Sequence, residues 1–128
     1  MINEYFKYRE FDCKCGKCER PAGVPSQELI DILTKIRKHY NQPVVINSGY
    51  RCEDHNKKVG GSAKSQHFKG SAVDFIVKNT PTESVWEYVL EKWGNDPLGL
   101  AIKRNKSNIY AGFVHIDTRG KKARWEYK

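Results

Sequence analysis

Apolar residues recur at helical spacing in two segments of the chain. In the first, residues 26–40, they follow Ser26, a residue that can cap a helix, and stand at i, i+4, i+7 and i+11: Leu29, Leu33, Ile36 and Tyr40. The second begins with "TPTE" at residues 80–83, a capping box with proline at the first helical position, and stops at Gly94. Its apolar residues are Val85, Trp86, Val89, Leu90 and Trp93. The pattern predicts two amphipathic helices that pack one face on a core.

Three shorter segments are typical of β-strands. "PVVINSG", residues 43–49, joins a proline that can start a strand to β-branched residues. Apolar positions alternate with others in residues 72–77 and 111–118, so Asp74 and His115 each fall on the face opposite the most apolar side chains. Residues 51–64 and 94–109 read as loops. We therefore expect an α+β fold, a small antiparallel sheet that carries Asp74 and His115, with the two helices mainly on its other side.

Length and charge narrow the class of protein. A chain of 128 residues suits one domain, which we place at residues 1–128. It has no window of 18 or more apolar residues and no apolar leader, so we expect cytoplasmic synthesis without a signal peptide, no membrane partner and a monomer. The net charge of +8 favours an anionic partner, either nucleic acid, an acidic membrane surface or a cell-wall polymer. No nucleic-acid-binding signature accompanies that charge, and we expect no nucleic acid partner.

Four cysteines leave three interpretations open. Cys13, Cys15 and Cys18 lie in "CKCGKC", and Cys52 is far along the chain. They can be reduced thiols around a folded loop, a cysteine-rich metal site, or two disulfides. A four-cysteine zinc site normally draws on two C-x-x-C pairs, of which only one is present, and the absence of a secretion signal argues against obligate disulfides.

The stretch "SQHFKGSAVDF", residues 65–75, contains two possible metal ligands. A carboxylate on the half-buried face of a strand, such as Asp74, is costly unless it is paired or coordinates a metal. If the two strands are neighbours, His115 can meet Asp74, and Gly70 lets the preceding loop bring His67 over the same face. Two histidines and one carboxylate with an open fourth position are typical of catalytic zinc. Taken singly, the same residues can also be a loop histidine, a core histidine and a salt-bridge partner.

The residues of this stretch also carry a family resemblance. They match S-x-H-x-x-G-x-A-x-D without gaps, as Ser65, His67, Gly70, Ala72 and Asp74. The chain resembles the zinc D-alanyl-D-alanine carboxypeptidase family, in the group of murein endopeptidases, VanX-type dipeptidases, phage L-alanyl-D-glutamate endolysins and the hedgehog domain. "SGYRCEDHNKKVGGS", "GFVHID" and "FDCKCGKC" are similar to other segments of that family, so roughly residues 6 to 120 are covered.

This resemblance implies a hedgehog-like and DD-peptidase-like zinc site. It implies that His67, Asp74 and His115 bind one catalytic zinc ion. It implies that Arg51 holds a substrate carbonyl or carboxylate and stabilises charge in the transition state. It also suggests that Ser65 hydrogen-bonds substrate or orients its loop.

The general base is not given by the resemblance. Relatives place an acidic residue or a histidine at positions that are here Gly112, Phe113 and Tyr110, none of them a conventional base at neutral pH. Asp117, on the same strand face as His115, is the best candidate. It can instead orient His115 by a hydrogen bond. If Asp117 has neither role, the base must be sought in Tyr110 or in residues 94–109.

Together these features predict a zinc metallopeptidase that hydrolyses peptide bonds in peptidoglycan stem peptides, as an endolysin or in the manner of a D-Ala-D-Ala carboxypeptidase. Without a signal peptide, such an enzyme resembles a phage endolysin that a holin releases to the cell wall. The first alternative is a zinc-bearing binding module of the same fold without catalysis, which the missing base favours. The second alternative is a basic nucleic-acid-binding protein, which only the net charge supports.

Overall fold

The computed structural model describes residues 2–16, 18–60, 66–67 and 72–128, so the predicted roles of Ser65 and Gly70 lie outside the described residues. A 3-10 turn, Tyr8–Phe11, comes before the longer elements. The helices are α1 (Gln27–Tyr40), α2 (Glu53–Lys58) and α3 (Thr82–Trp93). The strands are β1 (Val44–Ser48), β2 (Ala72–Val77), β3 (Gly99–Arg104), β4 (Gly112–Asp117) and β5 (Ala123–Tyr127).

The strands form one mixed sheet in the order β1-β2-β4-β3-β5. The first four are antiparallel to their neighbours, whereas β5 is parallel to β3. β4 is already paired on both sides, so β5 joins the remaining edge of β3. Because residues 118–122 return the chain to Ala123 beside Gly99, β5 starts at the end of the sheet where β4 finishes. The predicted α+β fold is confirmed, and one parallel pair is added to the predicted antiparallel sheet.

The two faces of the sheet differ in chemistry. One is apolar and packs with α1 and α3 in the core, as predicted; its strand residues include Val73, Phe75, Val77, Leu100, Val114 and Ile116. The other carries Asp74 and His115, which stand opposite each other on β2 and β4. Since neighbouring residues of a strand point to opposite faces, the core and the polar face are fixed by the same alternation.

The first helix agrees with its prediction. α1 runs from Gln27 to Tyr40, and the Ser26 hydroxyl accepts the Leu29 N–H at 3.3 Å. At its other end Asn41 takes the left-handed conformation, with φ of 50°. Asparagine tolerates that conformation well, which explains the stop without glycine.

The extent of α3 is also as predicted, but its capping box is not formed. Pro81 is the N-cap, and no side chain caps the helix. Thr82 instead donates its N–H to the Ile109 carbonyl and its hydroxyl to the Ala111 carbonyl, each at 2.9 Å. Glu83 accepts from Arg104 Nε at 2.7 Å. The first turn is therefore held by the β3–β4 hairpin, a tertiary partner that outweighs the local cap.

Two segments that read as loops contain regular structure. α2 lies within residues 51–64; it has only six residues and no apolar repeat to reveal it. β3 occupies part of residues 94–109, and there Leu100 and Ile102 face the core while Ala101 and Lys103 face the other way. None of the helices in the described part of the chain is long and apolar enough to span a bilayer.

We predict that Leu33→Ala lowers the free energy of unfolding by about 2 to 5 kcal/mol, because Leu33 is 0% exposed and its truncation leaves a cavity in the core. Leu90→Ala is the matched control: Leu90 lies on α3 and is 36% exposed, so its loss should cost about 1 kcal/mol or less. Urea unfolding in the presence of chelator measures both variants without a contribution from bound metal. Equal losses would contradict the assignment of the core face.

Candidate metal centre

Three buried side chains converge on the polar face of the sheet. Asp74 on β2 and His115 on β4 are register partners, and His67 lies in a described turn of two residues, 66–67. One ligand atom from each of the three lies within 4.8 Å of the others. Asp74 Oδ1 is 2.8 Å from His115 Nδ1 and 3.1 Å from His67 Nε2. The structure thus brings together the three residues predicted as metal ligands.

The outer nitrogen of each imidazole ring is held by an acceptor. His67 Nδ1 lies 2.8 Å from the Gly49 carbonyl, and His115 Nε2 lies 2.7 Å from Asp117 Oδ2. A carbonyl or carboxylate oxygen only accepts, so these two nitrogens carry the protons. The inner nitrogens, His67 Nε2 and His115 Nδ1, then present lone pairs to the Asp74 carboxylate.

Three electron-pair donors facing one point repel one another unless a cation lies among them. Extra protons on the imidazoles are one remedy, and a metal ion is the other. Two imidazole nitrogens and one carboxylate oxygen are a donor set that Zn²⁺ accepts with a fourth position open. The residues present therefore fit a zinc ion, with His67, Asp74 and His115 as its ligands.

The electrostatic surroundings keep Asp74 ionised. Burial by itself raises the pKa of this carboxyl, but the His115 and His67 rings, when they also carry a proton on the nitrogen that faces it, outweigh burial and lower the pKa to about 2. For His115, burial lowers the pKa and the Asp117 and Asp74 carboxylates raise it, with a raised pKa as the net result. The centre thus offers a full negative charge to a cation at neutral pH.

Asp117 is enclosed beneath His115. It is 0% exposed, and besides His115 its carboxylate binds the Arg119 guanidinium through two hydrogen bonds of 2.8 Å. Its register partner is Gly99, where a Cβ atom would collide with the carboxylate oxygens. Burial raises the pKa of Asp117, but Arg119 and His115 lower it well below its ordinary value. With both oxygens engaged, the geometry favours orientation of His115 over proton abstraction as the role of Asp117.

Arg119 was not among the residues predicted from the sequence. Its guanidinium binds Asp117 and also lies 4.8 Å from the centre of the Trp125 ring. It thereby fixes the carboxylate that fixes His115, as supporting residues around metal ligands commonly do. The sequence does show an arginine two positions after Asp117. Only the structure shows that the turn after β4 brings its guanidinium back to the Asp117 carboxylate.

Trp125 and Tyr127 of β5 form an aromatic wall beside the centre. Their ring centroids lie 5.2 and 6.1 Å from that of His115. Burial, and after it the charge of Asp74, raises the pKa of Tyr127 to about 12, so its hydroxyl stays protonated at neutral pH. The strand β5 was not predicted from the sequence, and neither residue was therefore expected at the site.

Arg51 lies at the same centre. Its N–H donates to the His67 carbonyl at 3.0 Å. Burial lowers the pKa of its guanidinium, while the charge of Asp74 acts in the opposite direction. Arg51 therefore adds a positive charge beside the ligands.

Tyr110, the other candidate base, lies elsewhere. It is 52% exposed and belongs to the β3–β4 hairpin. Its neighbours Ile109 and Ala111 bind Thr82 at the start of α3, on the apolar side of the sheet. The structure does not bring Tyr110 to the candidate centre.

The chain was compared with models of known families and with curated proteins. The model of the family described as Peptidase M15 matches residues 4–117, a range that contains all three candidate ligands and Arg51. The comparison with curated proteins found no match.

We predict that Asp117→Asn weakens zinc binding by about 10- to 100-fold, because the variant loses the charge that orients His115. Competition with a chelator measures the zinc affinity, and activity lost at ordinary zinc should return when zinc is added. Asp96→Asn is the matched control, since Asp96 is an exposed carboxylate of the turn after α3. Unchanged zinc affinity with turnover reduced about 10²- to 10⁴-fold would instead identify Asp117 as the general base.

Proposed function

The chain belongs to the peptidase M15 family, and on that premise we propose that it hydrolyses peptide bonds in the stem peptides of bacterial peptidoglycan. Peptidases of this family are zinc-dependent. The observation that carries the proposal is the convergence of His67, Asp74 and His115, whose lone pairs face one point. A solely structural zinc site would normally be closed by four protein ligands, and the described residues supply three.

The chemistry divides between the ion and the chain. A zinc ion held by His67, Asp74 and His115 would supply Lewis-acid chemistry, lowering the pKa of water bound to it towards about 7 and polarising the scissile carbonyl. The chain's part is to hold the ligands in place. Gly49 and Asp117 fix the two imidazoles by their outer nitrogens, and Arg119 fixes Asp117.

Two further groups are placed to act on the substrate. Arg51, whose backbone N–H binds the His67 carbonyl, supplies a positive charge, and Tyr127, whose ring lies beside His115, supplies a neutral hydroxyl. Both can donate hydrogen bonds to a carbonyl oxygen as negative charge develops on it during attack. Because the pKa of Tyr127 is raised, it acts as a hydrogen-bond donor and not as a base.

Charge and surface support the proposed substrate class. A net charge of +8 attracts the free carboxylates of stem peptides and the anionic polymers around them. The aromatic wall of Trp125 and Tyr127 offers an apolar surface beside the ligands for an extended peptide. We propose action on the cell wall, as an endolysin that a holin releases or as a carboxypeptidase-like enzyme, by a monomer with neither nucleic acid nor membrane as partner.

One observation favours a second candidate function, a metal-bearing binding module without catalysis. Within the described part of the chain, the carboxylates in contact with the two histidines are Asp74 and Asp117. The first faces the metal position, and the second is fully engaged with Arg119 and His115. A module of this kind would bind zinc and cell-wall peptide but release no fragments.

We predict that the zinc-loaded protein releases peptide fragments from purified murein sacculi and that excess chelator stops the release. His115→Ala should abolish it, because the variant removes one ligand of the centre. His39→Ala is the matched control, since His39 stacks on Tyr88 at the helices and not at the centre. Mass spectrometry of the fragments identifies the bond that is cut. Zinc binding without fragments from any murein would favour the binding module.

We predict that Arg51→Ala keeps the fold and zinc affinity but loses about 100-fold in kcat/KM, the usual effect of removing one charge-stabilising donor, on the order of 3 kcal/mol. Arg9→Ala is the control, because Arg9 is an exposed arginine of the N-terminal 3-10 turn. Fragment release is followed over time for both variants. An undiminished rate would mean that Arg51 does not contact the substrate.

A further inference from the structure

The four cysteines, three from one short segment and one distant in the sequence, lie in one cluster. Cys15 and Cys18 have their sulfurs 3.3 Å apart, Cys13 and Cys52 theirs 3.7 Å apart. The distance of 3.9 Å between the sulfurs of Cys52 and Cys15 joins the two pairs. All four sulfurs lie within 4.8 Å of one another. The distant Cys52 thus takes the place of the second C-x-x-C partner that the sequence lacks.

These separations fit a tetrahedral metal site. A zinc–sulfur bond of about 2.3 Å places the sulfurs of a regular tetrahedron about 3.8 Å apart. Two disulfides would need sulfurs about 2.05 Å apart within each pair. All four cysteines lie in the described part of the chain, where none forms a disulfide. The cluster is therefore arranged around one point and not as two bonds.

Backbone N–H groups and lysine side chains lie near the sulfurs. The Cys52 N–H points to Cys13 Sγ at 3.3 Å, and the His55 N–H points to Cys52 Sγ at 3.4 Å. Lys14 and Lys58 line the same surface groove as the cluster. Backbone N–H groups and nearby cations stabilise the negative charge that remains when four thiolates surround one divalent ion.

We propose that Cys13, Cys15, Cys18 and Cys52 bind a second zinc ion, a structural one, separate from the candidate centre at His67, Asp74 and His115. Four soft thiolates in tetrahedral geometry are a donor set typical of structural zinc. Binding converts four thiols to thiolates and releases their four protons to solvent, so the site carries a net charge of −2. With four protein ligands the site is closed, and it is structural.

The position of the cysteine cluster indicates which chain segments the second zinc would join. The segment from Phe11 to Cys18 has no strand or longer helix among its described residues, and it lies against residues 49–52. The Tyr50 N–H donates to the Phe11 carbonyl at 2.9 Å, and a Cβ on Gly49 would come within 2.8 Å of Phe11 Cα. The second zinc would fasten this contact at Cys52, one residue after Arg51.

Metal content separates this proposal from the proposed peptidase function, because each zinc is assigned to different side chains. The unaltered protein, purified with zinc, should hold two ions per chain. The double variants C13S/C52S and H67A/H115A should each hold one, and their combination none. A second ion that persists in the cysteine variant would overturn the proposal. The proposal would also be overturned if the unaltered protein held only one ion and H67A/H115A held none.

A second measurement serves if the cysteine variant does not fold. Cobalt in place of zinc in the unaltered protein should give near-ultraviolet charge-transfer absorption of the strength expected for four thiolates, and H67A/H115A should retain it. A thiol reagent should modify all four cysteines only after chelation. Absence of that absorption, two disulfides in the protein as purified, or iron in place of zinc would each refute the second zinc site.

Discussion

The negative charge of Asp74, buried between two imidazole rings, is the constraint on which the polar half of this structure depends. A charge taken out of water must be compensated, and the inner nitrogens of His67 and His115 cannot compensate it while their outer nitrogens hold the protons. Those protons are fixed by the Gly49 carbonyl and by Asp117. The supporting contacts thus come from separate parts of the chain, and all of them leave one place for a cation.

The sheet keeps the buried charge of Asp74 apart from the hydrophobic core, because the two lie on opposite faces. The apolar face gives the helices a core that is independent of the chemistry opposite. On the polar face the residues beside Asp74 and His115 are small where room is needed: Ala72, Gly99 and Ala101. Gly99 in particular leaves the space that the Asp117 carboxylate fills. A change in the core therefore alters stability first, whereas a change on the polar face alters the ligands first.

The elements that a local sequence pattern defines were predicted correctly. The features that depend on contacts between distant segments were not predicted. The alternation of residues 72–77 and 111–118 predicted that Asp74 and His115 share a face if the two strands are neighbours, and the structure pairs these strands. The alternation could not show that Arg119 turns back onto Asp117, which depends on the path after β4. The capping box failed because Arg104, on another element, binds Glu83. The short polar α2 has no apolar periodicity of its own, and the edge strand β5 alternates apolar and polar residues over only five positions.

The pairing of Asp74 with His115 joins residues 41 positions apart in the chain. An unfolded chain rarely brings such residues together, so the donor set exists only after the sheet has formed. A cation that binds the folded form alone raises the free energy of unfolding by about 2.7 kcal/mol when its free concentration is a hundred times its Kd. The resistance of this protein to heat and denaturant is then set by the metal supply around it as much as by its own core.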